Sequence, residues 1–349
     1  MISYSRHIRR QQFTIAIICA LPHESRAVEA VFDEIFDCGG GTDLASHPRD
    51  KNKYTVGRIG QHYVVLVHMA AMGKLYASSA AASISLSYPS IKLALIVGVC
   101  GGVPYTQDGH ARFLGDVIIS TELLLYDETN VLAFDNLNPL SFNTGNRVQA
   151  NGKPQALIHK LYSARGYQCL VVNTANNLAL ALNMLGAEEF GYPGMDKDRL
   201  FPPSYQHQHR SPVQCDVCSS PGNRKQFCRQ AFKSTCEQLG CVRDAARLQR
   251  VRTKPSDESS PDPRPTIHFG PIATGDSVIM CGEKRDQLAA SAGVVGFEME
   301  AAGVWRRFPT VVIKGVCDYA DCHKSKRWQN YAAVCAASCA KAFLLEYTA

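Results

Sequence analysis

Residues 293–331 read GVVGFEMEAAGVWRRFPTVVIKGVCDYADCHKSKRWQNY. Two short apolar runs with strand character, GVVGFEM and TVVIKGVCDYA, flank EAAGVWRRF, which predicts a helix. Each run ends in acid, with Glu298 and Glu300 after the first and Asp318 and Asp321 after the second. Carboxylates are costly to bury without partners. In an α/β layer fold, however, the carboxyl ends of the strands open on a crevice where ligands bind. These acids therefore point to a fold class and to the end of the sheet where a site lies.

The rest of the chain alternates in the same way. TIAIICA (14–20) reads as a fully buried strand, and HESRAVEAVFDEIF (23–36) as a helix with Val28, Val31, Phe32 and Ile35 at helical spacing. Glu24, four residues before Val28, starts that helix on its inward face. YTVGRIGQHYVVLVHMA (54–70) predicts two strands joined at Gly60-Gln61, KLYASSAAASISLSY (74–88) a small-residue helix, and KLALIVGVCGGVP (92–104) a buried strand running into glycines. GDVIISTELLL (115–125) is a further strand, followed by helices around 155–163 and 172–185. Strand pattern returns with TIHFGPIATGDSVIM (266–280), and a last helix is expected from Arg327 to Tyr347. The order implies an α/β fold. Residues 187–265 interrupt it with Pro202-Pro203, a histidine and cysteine cluster and the proline-rich RTKPSDESSPDPRP. They read as an insertion in a single domain spanning 13–347.

Composition narrows the function. Apolar residues make up 46% and charged residues 19%, which suits a globular chain. The net charge of +6 is not gathered into a long basic run, so a small anionic ligand suits it and nucleic acid is not expected as a partner. No stretch reaches the ~18 to 20 apolar residues that span a bilayer, so no membrane association is expected. The start, MISYSRHIRRQQFTIAIICALP, mimics a leader, but its β-branched run leads directly into an amphipathic helix and reads as the first strand. Cys19, Cys100, Cys317, Cys335 and Cys339 lie inside apolar segments, where free thiols behave as small hydrophobes, and a cytoplasmic location follows.

Glu24, Glu300 and Asp318 come from distant parts of the chain to strand ends. Each alone is as readily a helix cap or an ion-pair partner. Together they suit cleavage of a glycosidic or N-glycosidic bond, where carboxylates stabilise an oxocarbenium-like sugar, an acid protonates the leaving group and a base activates water. After Asp318, the cations His323, Lys324, Lys326 and Arg327 stand in a loop entering the last helix, a setting suited to phosphates or simply to a solvated helix start. In the insertion, His207, His209, Cys215 and Cys218 form a candidate structural zinc set, with Cys215-x-x-Cys218 as a chelating half. The alternative is that these cysteines pack a small subdomain. The glycosidic chemistry requires no cofactor.

FEMEAAGVW, GVCDYAD, AAMGK, VGVCGGVP and LGDVIIS, following a first strand that ends ALPHE, resemble the nucleoside phosphorylase and nucleosidase superfamily. Within it the chain most resembles the phosphorylase-like domain found in fungi, often as the N-terminal effector of NOD-like receptor proteins. The resemblance spans 13–125 and 267–347. It implies a three-layer sandwich with a central mixed β-sheet flanked by helices, and a homo-oligomer. It also implies that Glu24 activates water, Glu300 binds the ribose hydroxyls, and Met299 and Met72 approach the sugar. Gly101 would let backbone approach the base, and Asp318 would hold the purine and assist protonation of its N7. Relatives are thought to cleave ATP, so the implied activity is release of adenine from ATP or dATP, with Lys324, Lys326 and Arg327 receiving the phosphates. Where relatives have Ser, this chain has Val99, and Val278 replaces an aromatic that stacks adenine. A phosphorylase using Arg26, or a catalytically silent nucleotide sensor, are the other readings.

Overall fold

Runs of Val, Ile and Leu without polar alternation form the middle of a mixed sheet, as expected for strands covered on both faces. The computed structural model describes residues 8–36, 46–126, 147–149, 152–210, 215–219, 228–241 and 264–348. Its strands are β1 (Phe13–Cys19), β2 (Glu34–Ile35), β3 (Lys53–Ile59), β4 (His62–His68), β5 (Leu93–Gly102), β6 (Val117–Leu125), β7 (Arg147–Val148), β8 (Ile267–Thr274), β9 (Gly296–Glu298) and β10 (Thr310–Asp318). Its helices are α1 (Pro22–Glu29), α2 (Lys74–Ser87), α3 (Lys153–Leu161), α4 (Ala164–Leu185), α5 (Ala187–Phe190), α6 (Asp216–Ser219), α7 (Arg229–Lys233), α8 (Cys236–Leu239), α9 (Gly282–Ala292) and α10 (Gln329–Glu346).

β1 lies between β4 and β5, parallel to both, and the β3–β4 hairpin extends the sheet to β2. On the other side β5 pairs with β10, β10 with β6, β6 with β8, β8 with β9, and β9 returns to β5. That half of the sheet thus closes on itself as a ring. Closure removes edges that would otherwise present unpaired backbone groups.

α10 packs against β5, β10 and β6 on one side and against α4 and α1 on the other. Its sequence, QNYAAVCAASCAKAFLLE, is rich in Ala, Ser and Cys, and residues from Tyr331 to Ala340 are all buried. Small side chains are what let a helix sit closely between two layers. No helix among the described residues is long and apolar enough to cross a membrane.

Several local expectations need correction. The first helix stops at Glu29, and Ile35, expected on its buried face, is 52% exposed in β2. Val31 and Phe32 are buried from the turn between the two. EAAGVWRRF forms one 3-10 turn, Ala301–Gly303, and then irregular turns. The helix expected at 172–185 starts earlier, where Ser163 caps α4 by accepting from the Gly166 N–H. α9 was not legible, because its sequence GEKRDQLAASA offers few apolar positions. The insertion falls between α4 and β8 and contributes α5 to α8, while its proline-rich run lies outside the described residues except for Arg264 and Pro265.

Two side chains of α10 give a paired test of the core. Phe343 is fully buried and Leu345 is 44% exposed. Phe343→Ala should lower the unfolding free energy by about 3–5 kcal/mol, and Leu345→Ala by less than ~1 kcal/mol. Urea midpoints of the two variants measure the contrast.

Candidate active site

The site begins with a gap at one edge of β5. β10 pairs along one side of β5 from Ala94 to Gly101. On the opposite side β1 pairs only as far as Ile96, and β9 starts only at Gly101. The Val99 N–H faces the interval and would be an unpaired buried donor. Glu24 supplies its acceptor: Oε1 takes the Val99 N–H at 2.8 Å, and Oε2 takes those of Ala20 and Leu21 at 2.9 Å. The carboxylate thus fills the place of a missing strand. Gly98 is needed beside it, since a Cβ there would lie 2.0 Å from Glu24 Oε1.

The other acids arrive from the ring. Glu298 ends β9 and accepts the Glu300 N–H at 3.0 Å and the Ala301 N–H at 3.2 Å, which fixes the turn after it. Glu300 Oε2 meets the Lys314 ammonium at 3.0 Å, and both side chains are buried. Lys314 lies on β10 opposite Gly98 of β5. Sequence reasoning passed over it, because a lysine inside TVVIKGVCD gives no periodic signal.

The electrostatics follow from burial. Burial pushes the Glu24 carboxyl above its usual range, while the Lys314 charge and the backbone N–H groups pull it down. Glu298 is pushed up to about 7, by burial first and then by the Glu300 charge. Burial works against the Lys314 ammonium, but Glu300, Glu24 and Glu298 outweigh it and hold Lys314 charged well above the lysine range. Glu300, Glu24 and, where it is ionised, Glu298 thus set more acid than base around one ammonium.

Asp318 ends β10. Its Oδ1 accepts the Ala320 N–H at 2.8 Å and lies 3.2 Å from the Lys324 ammonium. Ala320 holds a φ of 51°, a left-handed conformation that a non-glycine residue keeps only when its surroundings impose it. They do so here: Arg285 donates to the Tyr319 carbonyl at 2.8 Å, and the Tyr319 hydroxyl donates to Asp198 at 2.8 Å. Gly101 lies against this loop, and a Cβ there would meet Ala320 Cβ and Asp318 Oδ1 at 3.0 Å.

Glu24, Met72, Gly101, Met299, Glu300, Asp318 and Lys324 all line one cavity of about 200 Å³. Tyr126 and Phe297, in edge-to-face contact, line it too and supply the aromatic surface that Val278 lacks. Neither was anticipated; Phe297 stood in view within GFEME. Cys100 and Cys317 also reach the cavity, but burial pushes the Cys100 thiol up to about 12 and that of Cys317 well above its usual value, so neither suits a nucleophile.

Two sets of expected residues lie elsewhere. Lys326 and Arg327 line an adjoining cavity that shares Cys317, Asp318 and Lys324 with the first. Arg26 is turned away, held by Glu189 at 2.6 and 3.0 Å over the Phe190 ring. The single set His207, His209, Cys215 and Cys218 is also corrected. His209, Cys215 and Cys218 gather with Cys228, whereas His207 gathers with Cys236, Cys241 and His323. His207 and His209, two residues apart, thus serve different partners. Cys236-x₄-Cys241 was the missed signal, because that spacing also suits a chelating pair.

Residues 14–177 match the model of the Phosphorylase superfamily. The chain is 30% identical over 335 residues to a nucleotide-binding leucine-rich repeat (NLR)-like protein of Hyaloscypha variabilis. That match covers 96% of this chain and 29% of the relative, so the chain spans less than a third of the relative's length. Among solved structures it is similar to the S-adenosylhomocysteine nucleosidase of Streptococcus pyogenes in complex with 5-methylthiotubericidin, with TM-score 0.54, 16% identity and 97% and 98% of the two chains covered. It is also similar to the futalosine hydrolase of Helicobacter pylori, with TM-score 0.53, 14% identity and 95% and 97% covered. At such identities the likeness is one of fold.

The raised Glu298 makes stability depend on pH. Its folded value of about 7 exceeds the ordinary 4.5, so its contribution is complete below 4.5 and is lost as pH rises through 7. Glu298→Gln should therefore gain stability relative to the parent chain as pH is raised across that window. Melting midpoints of both proteins from pH 4 to 8 test it, and a constant difference would refute the charge argument.

Proposed function

From the premise that this is a chain of the phosphorylase superfamily, we propose that it is an N-glycosidase that hydrolyses the bond between a purine and its ribose. The observation that carries the reading is the Glu24 carboxylate, fixed by three N–H donors and facing one cavity with Glu300 and Asp318.

Asp318 orients the purine and relays a proton from solvent to N7, so the base leaves with the electron pair of the C–N bond. Positive charge then grows on the sugar, and Glu24 and Glu300 stabilise it. Glu300 accepts hydrogen bonds from the ribose hydroxyls, with its second oxygen held by Lys314. A water attacks the anomeric carbon and gives its proton to Glu24, whose raised pKa makes it a stronger base than an ordinary carboxylate. Tyr126 and Phe297 offer apolar surface to the base.

Phosphorolysis is disfavoured because Val99 offers no hydroxyl and Arg26 is engaged on the surface. For the substrate we favour ATP or dATP. Lys197, Arg199, Lys233, Lys326 and Arg327 line the adjoining cavity, with Lys324 on the partition between the two. Two charge-assisted contacts at about 1.5 to 3 kcal/mol each would favour the triphosphate by on the order of 10² to 10⁴. A second reading has an observation of its own. These cations lie past Asp318 and not beside Glu300, which favours an uncharged nucleoside confined to the first cavity.

Product analysis by mass spectrometry decides among these. ATP, dATP, adenosine and methylthioadenosine are incubated with the protein, with and without phosphate. Adenine and ribose 5′-triphosphate formed without phosphate support the reading, and Lys326→Ala with Arg327→Ala should then raise KM for ATP selectively. Faster turnover of adenosine selects the nucleoside reading, a strict need for phosphate selects a phosphorylase, and no product from any substrate selects a silent sensor. Glu24→Gln and Asp318→Asn should each lower the rate by ~10²- to 10⁴-fold while the protein stays folded. Because Glu24 must be ionised to act, kcat/KM should fall on acidification at a pH above the ordinary 4.5.

A further inference from the structure

We propose that the insertion carries two structural zinc sites and that the second of them holds in place the loop bearing Lys324. The first site is His209, Cys215, Cys218 and Cys228; the second is His207, Cys236, Cys241 and His323.

The geometry within each quartet is that of a tetrahedral shell. Zinc bonded at about 2.3 Å to sulfur and about 2.0–2.1 Å to nitrogen sets edges of about 3.4 Å for N···N, about 3.6 Å for N···S and about 3.8 Å for S···S. In the second quartet the two Nδ1 atoms of His207 and His323 lie 3.4 Å apart. Cys236 Sγ is 3.7 Å from His207 Nδ1 and 3.5 Å from His323 Nδ1, and Cys241 Sγ is 3.7 Å from His207 Nδ1. In the first quartet His209 Nδ1 lies 3.4 Å from Cys218 Sγ and 3.9 Å from Cys228 Sγ, and Cys215 Sγ lies 3.9 Å from Cys228 Sγ.

Tautomers supply a second, independent observation. His207 Nε2 lies 2.9 Å from the Ser234 carbonyl, and His323 Nε2 lies 3.0 Å from the Tyr205 carbonyl. A carbonyl only accepts, so Nε2 carries the proton in both rings and each Nδ1 presents its lone pair to the other. Two such lone pairs at 3.4 Å repel, so a proton or a metal ion has to lie between the two nitrogens. A ring nitrogen toward a metal with the other N–H on a backbone carbonyl is the usual orientation of a zinc-bound histidine.

The insertion also has need of such a staple. Among the described residues its own buried cluster consists of Phe201, Ala231, Leu239 and Cys241, with Tyr205, Cys218, Cys228 and Cys236 partly buried against them, a small core that a metal would reinforce. Zinc would displace the thiol protons to solvent. The second shell, two thiolates and two imidazoles, is then neutral and suits burial, and the first, with three thiolates, carries one negative charge. Both are closed four-ligand sets, as structural sites are.

The second site reaches the active cavity. Three of its ligands belong to the insertion, and the fourth, His323, belongs to the loop after β10. His323 immediately precedes Lys324, whose ammonium lies 3.2 Å from Asp318. His207, Cys236 and His323 also line the adjoining cavity. A metal there ties the partition between the cavities to the insertion. The first site lacks such a ligand.

The test uses the full chain purified without chelator. Elemental analysis and native mass spectrometry should find two equivalents of zinc, one for each quartet. Cobalt exchange should give the intense visible bands of tetrahedral thiolate sites. Cys228→Ser and Cys236→Ser should each lose one equivalent, and only Cys236→Ser should speed hydrogen exchange in the peptide 319–328. These readouts do not depend on catalysis, so their failure is distinct from failure of the glycosidase reading. Fewer than two equivalents in the parent chain, or cysteines recovered as disulfides, overturns the pair of metal sites. Equal exchange in the two variants overturns the link to Lys324. If Cys236→Ser does not fold, the stoichiometry and cobalt spectrum of the parent chain still decide the first question, and His323→Ala decides the second.

Discussion

The Lys314 ammonium lies 3.0 Å from Glu300, and Glu24 and Glu298 both act on its charge from within the same buried region. A lone ammonium or a lone carboxylate at this depth would be driven to its neutral form. Their mutual presence keeps charge where apolar strands would otherwise exclude it. Lys314 is carried by β10, which runs between β5 and β6, so the counter-charge is built into the middle of the sheet. With more acid than base around it, the pocket favours positive charge, which is what the proposed hydrolysis would call for, and that preference is oriented before any ligand arrives.

The strand arrangement explains why these groups meet. β1 and β9 share one edge of β5 without meeting each other, and the interval between them exposes backbone that the Glu24 side chain completes. The same carboxylate therefore repairs the sheet and faces the cavity. Its hydrogen bonds limit its rotation, so it is positioned without a dedicated supporting side chain. Asp318 is held differently, by a left-handed Ala320 and by Arg285 and Asp198 acting through Tyr319.

The acids were legible as a group, because three apolar runs from distant parts of the chain each lead into Glu or Asp, although any one of them alone reads equally well as a cap or an ion-pair partner. Glu24, Glu300 and Asp318 were found in this way, and so was the layer architecture. Lys314 was not, since a charge inside a buried strand makes sense only beside partners from other strands. Phe297 stood in view within GFEME, but which face of the strand it takes depends on register. α1 was overextended because Val31, Phe32 and Ile35 continue its spacing by chance after the helix has ended. The metal quartet was misassembled for a related reason. Spacing reveals which residues chelate as neighbours, but His323 lies far along the chain from His207 and only folding brings them within 3.4 Å.

The position of β10 has a consequence for how the chain is made. β5 and β6 leave the ribosome well before the strand that fills the space between them, which follows the whole insertion. During that interval two Val- and Ile-rich edges await a partner, and pairing across so long a stretch of chain closes slowly. The nascent protein thus passes through a stage in which its most aggregation-prone edges are open. The insertion prolongs that stage with every residue it adds, so its length is set against the safety of biosynthesis as well as the stability of the finished fold.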